Sequence, residues 1–386
     1  MRVCLAYDCL YPWTVGGGER WLRALAENLA SKGHQVTYLT RCQWDDDSPP
    51  EIAGVKVVVV APQDELYGDD GTRTIGQALR YGKGVFAHLL RHRGDYDVVH
   101  ITASPYFGVL GAWFALRGAR TVLFVDWHEA WTRDYWREYL GRWRGELGWL
   151  MQQICVRLCR HSFINSELHA ERLRSQGIRG ELTILHGLYS GPTQGEIMPA
   201  QQPPLVVFAG RHIPEKRVLA IPAAIVEARR QQPDLQALIL GDGPDHAALL
   251  AEIARCGASS FIDAPGFVSA EEVAAAIGQA TCLLLPSSRE GYGIVIVEAA
   301  AKGTPSIVVA GDDNAAVELV SEGENGFVAA DASTGALARA IAAAVDGGSA
   351  LRSSTHSWFS REAKRLSVAE SARIVEQSHR AALSPR

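Results

Sequence analysis

Short apolar runs alternate with amphipathic stretches through the first half of the chain. Val3–Tyr7, Gln35–Thr40, Val55–Val60, Val98–Ile101, Thr121–Val125 and His161–Asn165 are dominated by Val, Ile and Leu. That is the signature of strands covered on both faces. Between the first two, Trp21, Leu22, Leu25, Ala26 and Leu29 recur at three- and four-residue spacing over Glu19–Lys32, and Gly33 stands at a C-cap position. Alternation of this kind predicts right-handed crossovers and a parallel α/β sheet.

The alternation restarts after Gln201-Gln202-Pro203-Pro204, a polar, proline-rich joint that follows a segment without apolar period, Ser190–Gln202. Strands are predicted at Leu205–Ala209, Leu235–Leu240, Ser260–Ile262, Cys282–Pro286, Pro305–Val309 and Gly326–Val328. Helices are predicted at Arg217–Gln231, Asp245–Cys256, Ala270–Gln279, Gly293–Lys302, Ala315–Ser321 and Thr334–Val345. Ser360–Leu383 reads as a polar helical stretch broken near Ser367. Two doubly wound domains follow, and such sheets place ligands at the carboxyl ends of their strands.

Composition narrows the class. The chain has 386 residues, with 38 basic and 43 acidic side chains and a net charge of −5. This balance argues against a general nucleic-acid binder, and 47% hydrophobic with 21% charged residues excludes a disordered chain. The seven cysteines form no C-x2-C pair and read as small buried hydrophobes of a reducing compartment. The apolar run before Asp8 is too short for a signal-peptide core, and no run approaches the ~18 residues of a membrane span. The expectation is a cytoplasmic protein.

Three segments carry candidate chemistry. Gly16-Gly17-Gly18-Glu19-Arg20 lies between the first strand and first helix, where glycines allow close backbone approach and a helix N-terminus favours phosphate. It is neither G-x-G-x-x-G nor a P-loop. Gly210-Arg211-His212-Ile213-Pro214-Glu215-Lys216 puts two cations at a strand–helix junction, where a fork and a point charge can converge on one diphosphate. In Pro286–Ala299, Glu290 follows a strand and Glu298 lies on the next helix, read as about two turns along it, with Gly291 and Gly293 opening the loop. One carboxylate can take sugar hydroxyls and the other a second set.

These residues resemble the retaining family-4 glycosyltransferases, and the likeness covers almost the whole chain. It includes the Gly-Gly-x-Glu-Arg loop, Gly33-His34-Gln35-Val36, Asp97-Val98-Val99-His100, Arg211 with Lys216, Gly241-Asp242-Gly243-Pro244, Gly266-Phe267-Val268, the Glu290/Glu298 pair and Gly303-Thr304-Pro305. The resemblance implies the GT-B fold: two facing Rossmann-like doubly wound domains with the C-terminal helix returning to the first. The corresponding boundaries are 1–195 with about 368–386, a linker at 196–204, and 205–367. It also implies retaining transfer of a hexosyl group from a UDP- or GDP-sugar to a hydroxyl acceptor. Glu290 would hold donor-sugar hydroxyls and Glu298 the ribose. Arg211 and Lys216 would stabilise the departing diphosphate, helped by N–H groups of Gly17, Tyr292, Gly293 and Ile294 near Gly16 and Gly291. Gly266, Phe267 and Val268 would line the base pocket. His128 corresponds to the family's cleft histidine, making Glu290, His128, Arg211 and Lys216 the catalytic set. Asp126, Trp127 and Tyr106 are candidate acceptor contacts.

The chain departs from the family in His186-Gly187-Leu188-Tyr189, where an asparagine-glycine-x-aspartate turn is usual, and in Tyr292, where phenylalanine is commoner. No cofactor and no metal ligand cluster is expected, because Asp45-Asp46-Asp47 reads as solvated. Acceptor specificity is expected from loops 10–18, 62–80, 102–107 and 126–145. The stretch Trp131–Arg160 is rich in Trp and Arg. It reads as acceptor-pocket wall or core in preference to peripheral membrane contact, because acids are interleaved. A hydrolase or epimerase on the same scaffold, or a non-catalytic sugar-nucleotide binder, are the competing functions.

Overall fold

The computed structural model describes residues 1–45, 48–66, 73–194 and 197–384. Asp46 and Asp47 of the acidic run, part of the 62–80 loop, the 195/196 boundary and the last two residues lie outside the described residues. The chain divides into two compact units, Met1–Ser190 with Ser367–Arg386, and Gly191–Leu366.

Unit 1 is a seven-stranded sheet: β1 (Arg2–Ala6), β2 (Gln35–Arg41), β3 (Val55–Ala61), β4 (Val98–Thr102), β5 (Val122–Trp127), β6 (His161–Ile164) and β7 (Glu181–Ile184). The order is β3-β2-β1-β4-β5-β6-β7, every pair parallel. The strand order reverses between β1 and β4. Crossovers are made by α1 (Gly17–Ser31), α2 (Ile75–His92), α3 (Tyr106–Leu116), α4 (Arg133–Leu140), α5 (Arg142–Leu158) and α6 (Glu167–Ser175). β7 has no counterpart in the sequence expectation. It is a four-residue edge strand without a fully buried position, so no continuous apolar run marks it.

Unit 2 repeats the plan: β8 (Leu205–Ala209), β9 (Gln236–Leu240), β10 (Ile262–Gly266), β11 (Cys282–Leu285), β13 (Ser306–Val309) and β15 (Gly326–Ala329), ordered β10-β9-β8-β11-β13-β15. A separate two-residue pair joins β12 (Arg289–Glu290) to β14 (Asp313–Asn314). The helices are α7 (Ile221–Ala228), α8 (His246–Arg255), α9 (Ala270–Gln279), α10 (Ile294–Ala300) and α11 (Thr334–Leu366). The helix expected from Arg217 begins at Ile221 because Arg217 itself is left-handed, with φ +49°. β10 starts at Ile262, later than expected, because Phe261 and Ile262 both donate to Ala258 O in a turn. Ala315–Leu319 is a 3-10 turn, and α11 runs well past Val345, broken at Gly348.

The chain returns to unit 1 through α12 (Val368–Leu383), whose N-cap Ser367 accepts from Glu370 N. Glu376 of α12 receives Lys32 Nζ at 2.9 Å, Arg380 Nη2 at 2.8 Å and His34 Nε2 at 3.1 Å. These donors, Lys32 foremost, hold its carboxyl down at about 2. His379 is fully buried against Phe124, with its Nε2 3.3 Å from His100 Nδ1. Burial, with His100 and His34 adding to it and Glu376 opposing, keeps His379 neutral, well below the ordinary 6.5.

Acid stability follows with a definite sign. As pH falls below about 6.5, the unfolded chain takes up the His379 proton before the folded one, so unit 1 loses stability progressively. Glu376 acts in the same direction lower down: its contribution is present above 4.5 and lost as pH drops towards about 2. The urea midpoint is expected to fall between about pH 7.5 and about pH 5, and His379→Phe to flatten that decline.

Candidate functional site

In unit 2 the reversal of strand order lies between β8 and β11, the position where doubly wound sheets open a crevice. The loops after these two strands carry the residues singled out above. Lys216 Nζ lies 2.5 Å from Glu290 Oε1, the two side chains only 19% and 10% exposed. Ser287 Oγ donates to the same carboxylate oxygen at 2.8 Å. The loops are tied by Ser288 N to Glu215 O at 2.8 Å. Pairing of β12 with β14 fixes the backbone of Glu290, and the buried Asn314 donates to Ser287 O at 3.1 Å and Val309 O at 2.7 Å. Sequence reasoning missed Ser287 and Asn314. Ser287 opens the polar run Ser287-Ser288-Arg289-Glu290 and Asn314 closes Asp312-Asp313-Asn314, so only their tertiary partners single them out.

Arg211 is exposed on the β8 loop. The loops after β8, β9 and β10 are laced by backbone bonds: Gly210 N to Leu240 O at 3.0 Å, Gly241 N to Gly266 O at 3.0 Å, His212 N to Asp242 O at 2.8 Å. Gly241, at φ +124°, passes so close to Gly210 that a Cβ there would sit 2.8 Å from its carbonyl carbon. The Gly241–Pro244 motif therefore serves close backbone passage and seats Arg211. His212 and His246 stack with their Nδ1 atoms 3.0 Å apart. Phe267 stands 74% exposed beside buried Gly266 and half-buried Val268. Gly291 is half-buried, Tyr292 is buried and Gly293 is the N-cap of α10, which starts at Ile294. Glu298 is the fifth residue of α10, one turn along it, nearer its start than the sequence suggested.

In unit 1 the glycine run divides its labour. A Cβ on Gly16 would strike the Glu19 carboxylate, Gly17 has nothing within 4 Å, and a Cβ on Gly18 would come 2.7 Å from His128 Nδ1. Tyr7 meets the His128 ring edge-on at 5.6 Å and donates to Glu19 Oε1 at 3.2 Å. His128 Nε2 is buried with no hydrogen-bond partner among the described residues, so a polar atom of a ligand could satisfy it. Gly18→Ala is expected to displace His128 and lower activity roughly 10-fold or more, measured by initial rates.

Asp126 and Trp127 are fully buried. The sequence reading ended the fifth strand at Val125, but β5 continues through both, pairing Asp126 with Phe163 and Trp127 with Ile164. Trp21 Nε1 donates to Asp126 Oδ2 at 2.6 Å and His100 Nε2 lies 3.4 Å from the same oxygen, while Trp127 donates to Ser162 Oγ. Burial alone would raise the Asp126 carboxyl; the His100 bond, nearby His128 and the Trp21 bond hold it below its usual range. Tyr106 is half-buried, donating to Gln152 Oε1 at 3.0 Å, among Trp127 and Trp136. The Trp/Arg-rich stretch splits: Trp131 and Trp136 pack together at 4.6 Å, whereas Trp143 is 84% exposed. One cluster escaped the sequence reading. Asp8, fully buried after β1, receives Arg73 Nη2 at 2.6 Å and Gln77 Nε2 at 3.1 Å, and Arg73 also donates to Ser104 Oγ after β4. These residues gather at unit 1's own reversal of strand order. Among the described residues no group of three or more His, Cys, Asp or Glu could hold a metal ion.

Two Rossmann-like sheets of one strand order in a single chain, the second carrying a cation–carboxylate crest, define the GT-B class. Residues 16–187 match the glycosyl transferase 4-like domain and residues 194–362 the glycosyl transferases group 1 family. The chain belongs to the glycosyltransferases, of the GT-B, family-4 type. It is 26% identical over 369 residues to glycogen synthase of Mycobacterium tuberculosis, covering 90% of this chain and 86% of that one. It is 28% identical over 343 residues to phosphatidyl-myo-inositol mannosyltransferase of Mycobacterium leprae, covering 87% and 85%. In fold it is similar to sucrose-phosphate synthase from Thermosynechococcus elongatus, with TM-score 0.80 and 18% identity over 98% of each chain.

Proposed function

We propose that this glycosyltransferase moves a hexosyl group from a nucleotide diphosphate sugar, UDP- or GDP-linked, to a hydroxyl acceptor with retention at the anomeric carbon. The products would be glycans, glycolipids or natural-product glycosides. The observation carrying the reading is the Lys216–Glu290 pair at the β8/β11 reversal, with Arg211 on the same loop. A diphosphate arriving there replaces Glu290 as the counterion of Lys216 and is gripped from a second direction by Arg211. The carboxylate released from Lys216 is then free for donor-sugar hydroxyls, Glu298 serves the ribose, and Gly266, Phe267 and Val268 border the base.

Neither acid acts as a glycosidase-type nucleophile in this scheme. Negative charge developing on the leaving diphosphate is met by Arg211, Lys216 and the loop N–H groups, without a call on a metal. The leaving phosphate oxygen accepts the acceptor's proton on the face where the new bond forms, and His128, whose buried Nε2 has no hydrogen-bond partner among the described residues, completes the catalytic set. Seven free thiols support a reducing, cytoplasmic setting.

A thermal-shift screen with UDP, GDP, ADP, dTDP and their common sugars tests the donor reading, because a ligand of the native state raises the melting temperature. Stabilisation by one nucleoside diphosphate, retained in EDTA, is expected; none with any of the four would overturn it. Free sugar released with no acceptor, or an isomerised donor, would favour the hydrolase or epimerase instead.

A further inference from the structure

Three neighbouring helices of unit 1 hold apolar side chains out in solvent. α2, α3 and α5 carry successive right-handed crossovers in one direction across the sheet, so they lie on the same face of it, and α3 packs against both others. On α5, Trp143, Leu147, Leu150 and Ile154 recur at i, i+4, i+7 and i+11, all exposed, Leu147 by 63%. The opposite side of the same helix buries Cys155 and Val156. On α2, Ile75, Leu79, Phe86 and Leu90 form a second exposed stripe, and Phe114 of α3 is 58% exposed. A helix apolar on both sides has a core on one and needs an apolar neighbour on the other.

The charge around these stripes selects the neighbour. Segments 75–92, 106–120 and 142–160 carry nine Arg and Lys against one acidic residue, Glu146, in a chain of net charge −5. Glu146 is already paired with Arg133 at 2.7 Å and with Arg137. Arg117 lies over the Trp113 ring, 5.4 Å from its centroid. A second copy packed on this face about a two-fold axis would set like charges against one another. A planar surface that is apolar within and negative at its border satisfies both features.

We propose that the α2–α3–α5 face docks on an anionic lipid bilayer, with the Trp143–Ile154 and Ile75–Leu90 stripes resting at the level of the headgroups and acyl chains and the basic residues meeting the headgroups. The proposal does not depend on the donor chemistry, so failure of one leaves the other standing. It is tested by co-sedimentation with phosphatidylcholine vesicles, with and without phosphatidylglycerol, at low and high salt. The protein is expected to follow the phosphatidylglycerol vesicles, less so at high salt. Trp143→Ser/Leu147→Ser/Leu150→Ser should lower partitioning at least about tenfold with its melting temperature and nucleoside diphosphate binding unchanged. No sedimentation with anionic vesicles, equal sedimentation with neutral ones, or wild-type partitioning by the triple variant would each overturn it. So would light scattering that finds a dimer which the triple variant makes monomeric.

Discussion

Lys216→Ala is expected to lower kcat/KM by about 10²–10³-fold and to weaken nucleoside diphosphate binding. The loss has two sources. The leaving diphosphate forfeits a cation, and the Glu290 side chain, nine-tenths buried and 2.5 Å from Lys216 Nζ, loses that partner and retains the bond from Ser287 Oγ. Removing one member of such a pair strands the other, so the single variant should also lose about 1–3 kcal/mol of stability. Adding Glu290→Ala removes the stranded charge, and the double variant should recover part of that stability while staying inactive. Urea melts of both singles and the double, beside initial rates, check this. Lys216→Ala with near wild-type rate and affinity would remove the diphosphate role; a double variant whose loss of stability equals or exceeds the sum of the two single losses would contradict the predicted coupling.

Gly241→Ala should have an effect of similar size on stability, about 2–4 kcal/mol in unit 2. The added methyl group meets a left-handed backbone and the Gly210 carbonyl at once, with no flexible side chain to yield. Relief has to come from the β8 loop moving, which shifts Arg211 and frees Gly241 N from Gly266 O. Calorimetry should accordingly find nucleoside diphosphate affinity reduced along with the urea midpoint. A variant that melts like wild type would show that the loops can part without cost.

Much of this arrangement is legible from residues alone, and the exceptions have physical reasons. Strands with continuous Val, Ile and Leu were located to within about one residue in most cases, because burial on both faces leaves no polar position to blur them. The cation and acid segments were legible because they sit directly after strands. What escaped was set by distant partners. Strand order, the stitching by Asn314 and the Asp8–Arg73 cluster all depend on residues far apart in sequence. Asp126 looked like a loop residue because a charge commonly ends a buried strand. Here Trp21 and His100 satisfy it inside the sheet layer. The helical run from 346 to 359, between the two expected helical stretches, was missed because glycines and serines there have weak helix preference, and packing of Leu351, Trp358 and Phe359 decides the matter.

Because unit 2 is one unbroken stretch, Gly191–Leu366, while unit 1 is closed by Ser367–Arg386, the order of translation and the order of assembly differ. A nascent chain has every strand of the first sheet outside the ribosome long before it has the helix that covers His100 and clasps His34. Unit 2, begun later, is complete before unit 1 is. The amino-terminal half thus waits, half-clad, for Ser367–Arg386 to be made.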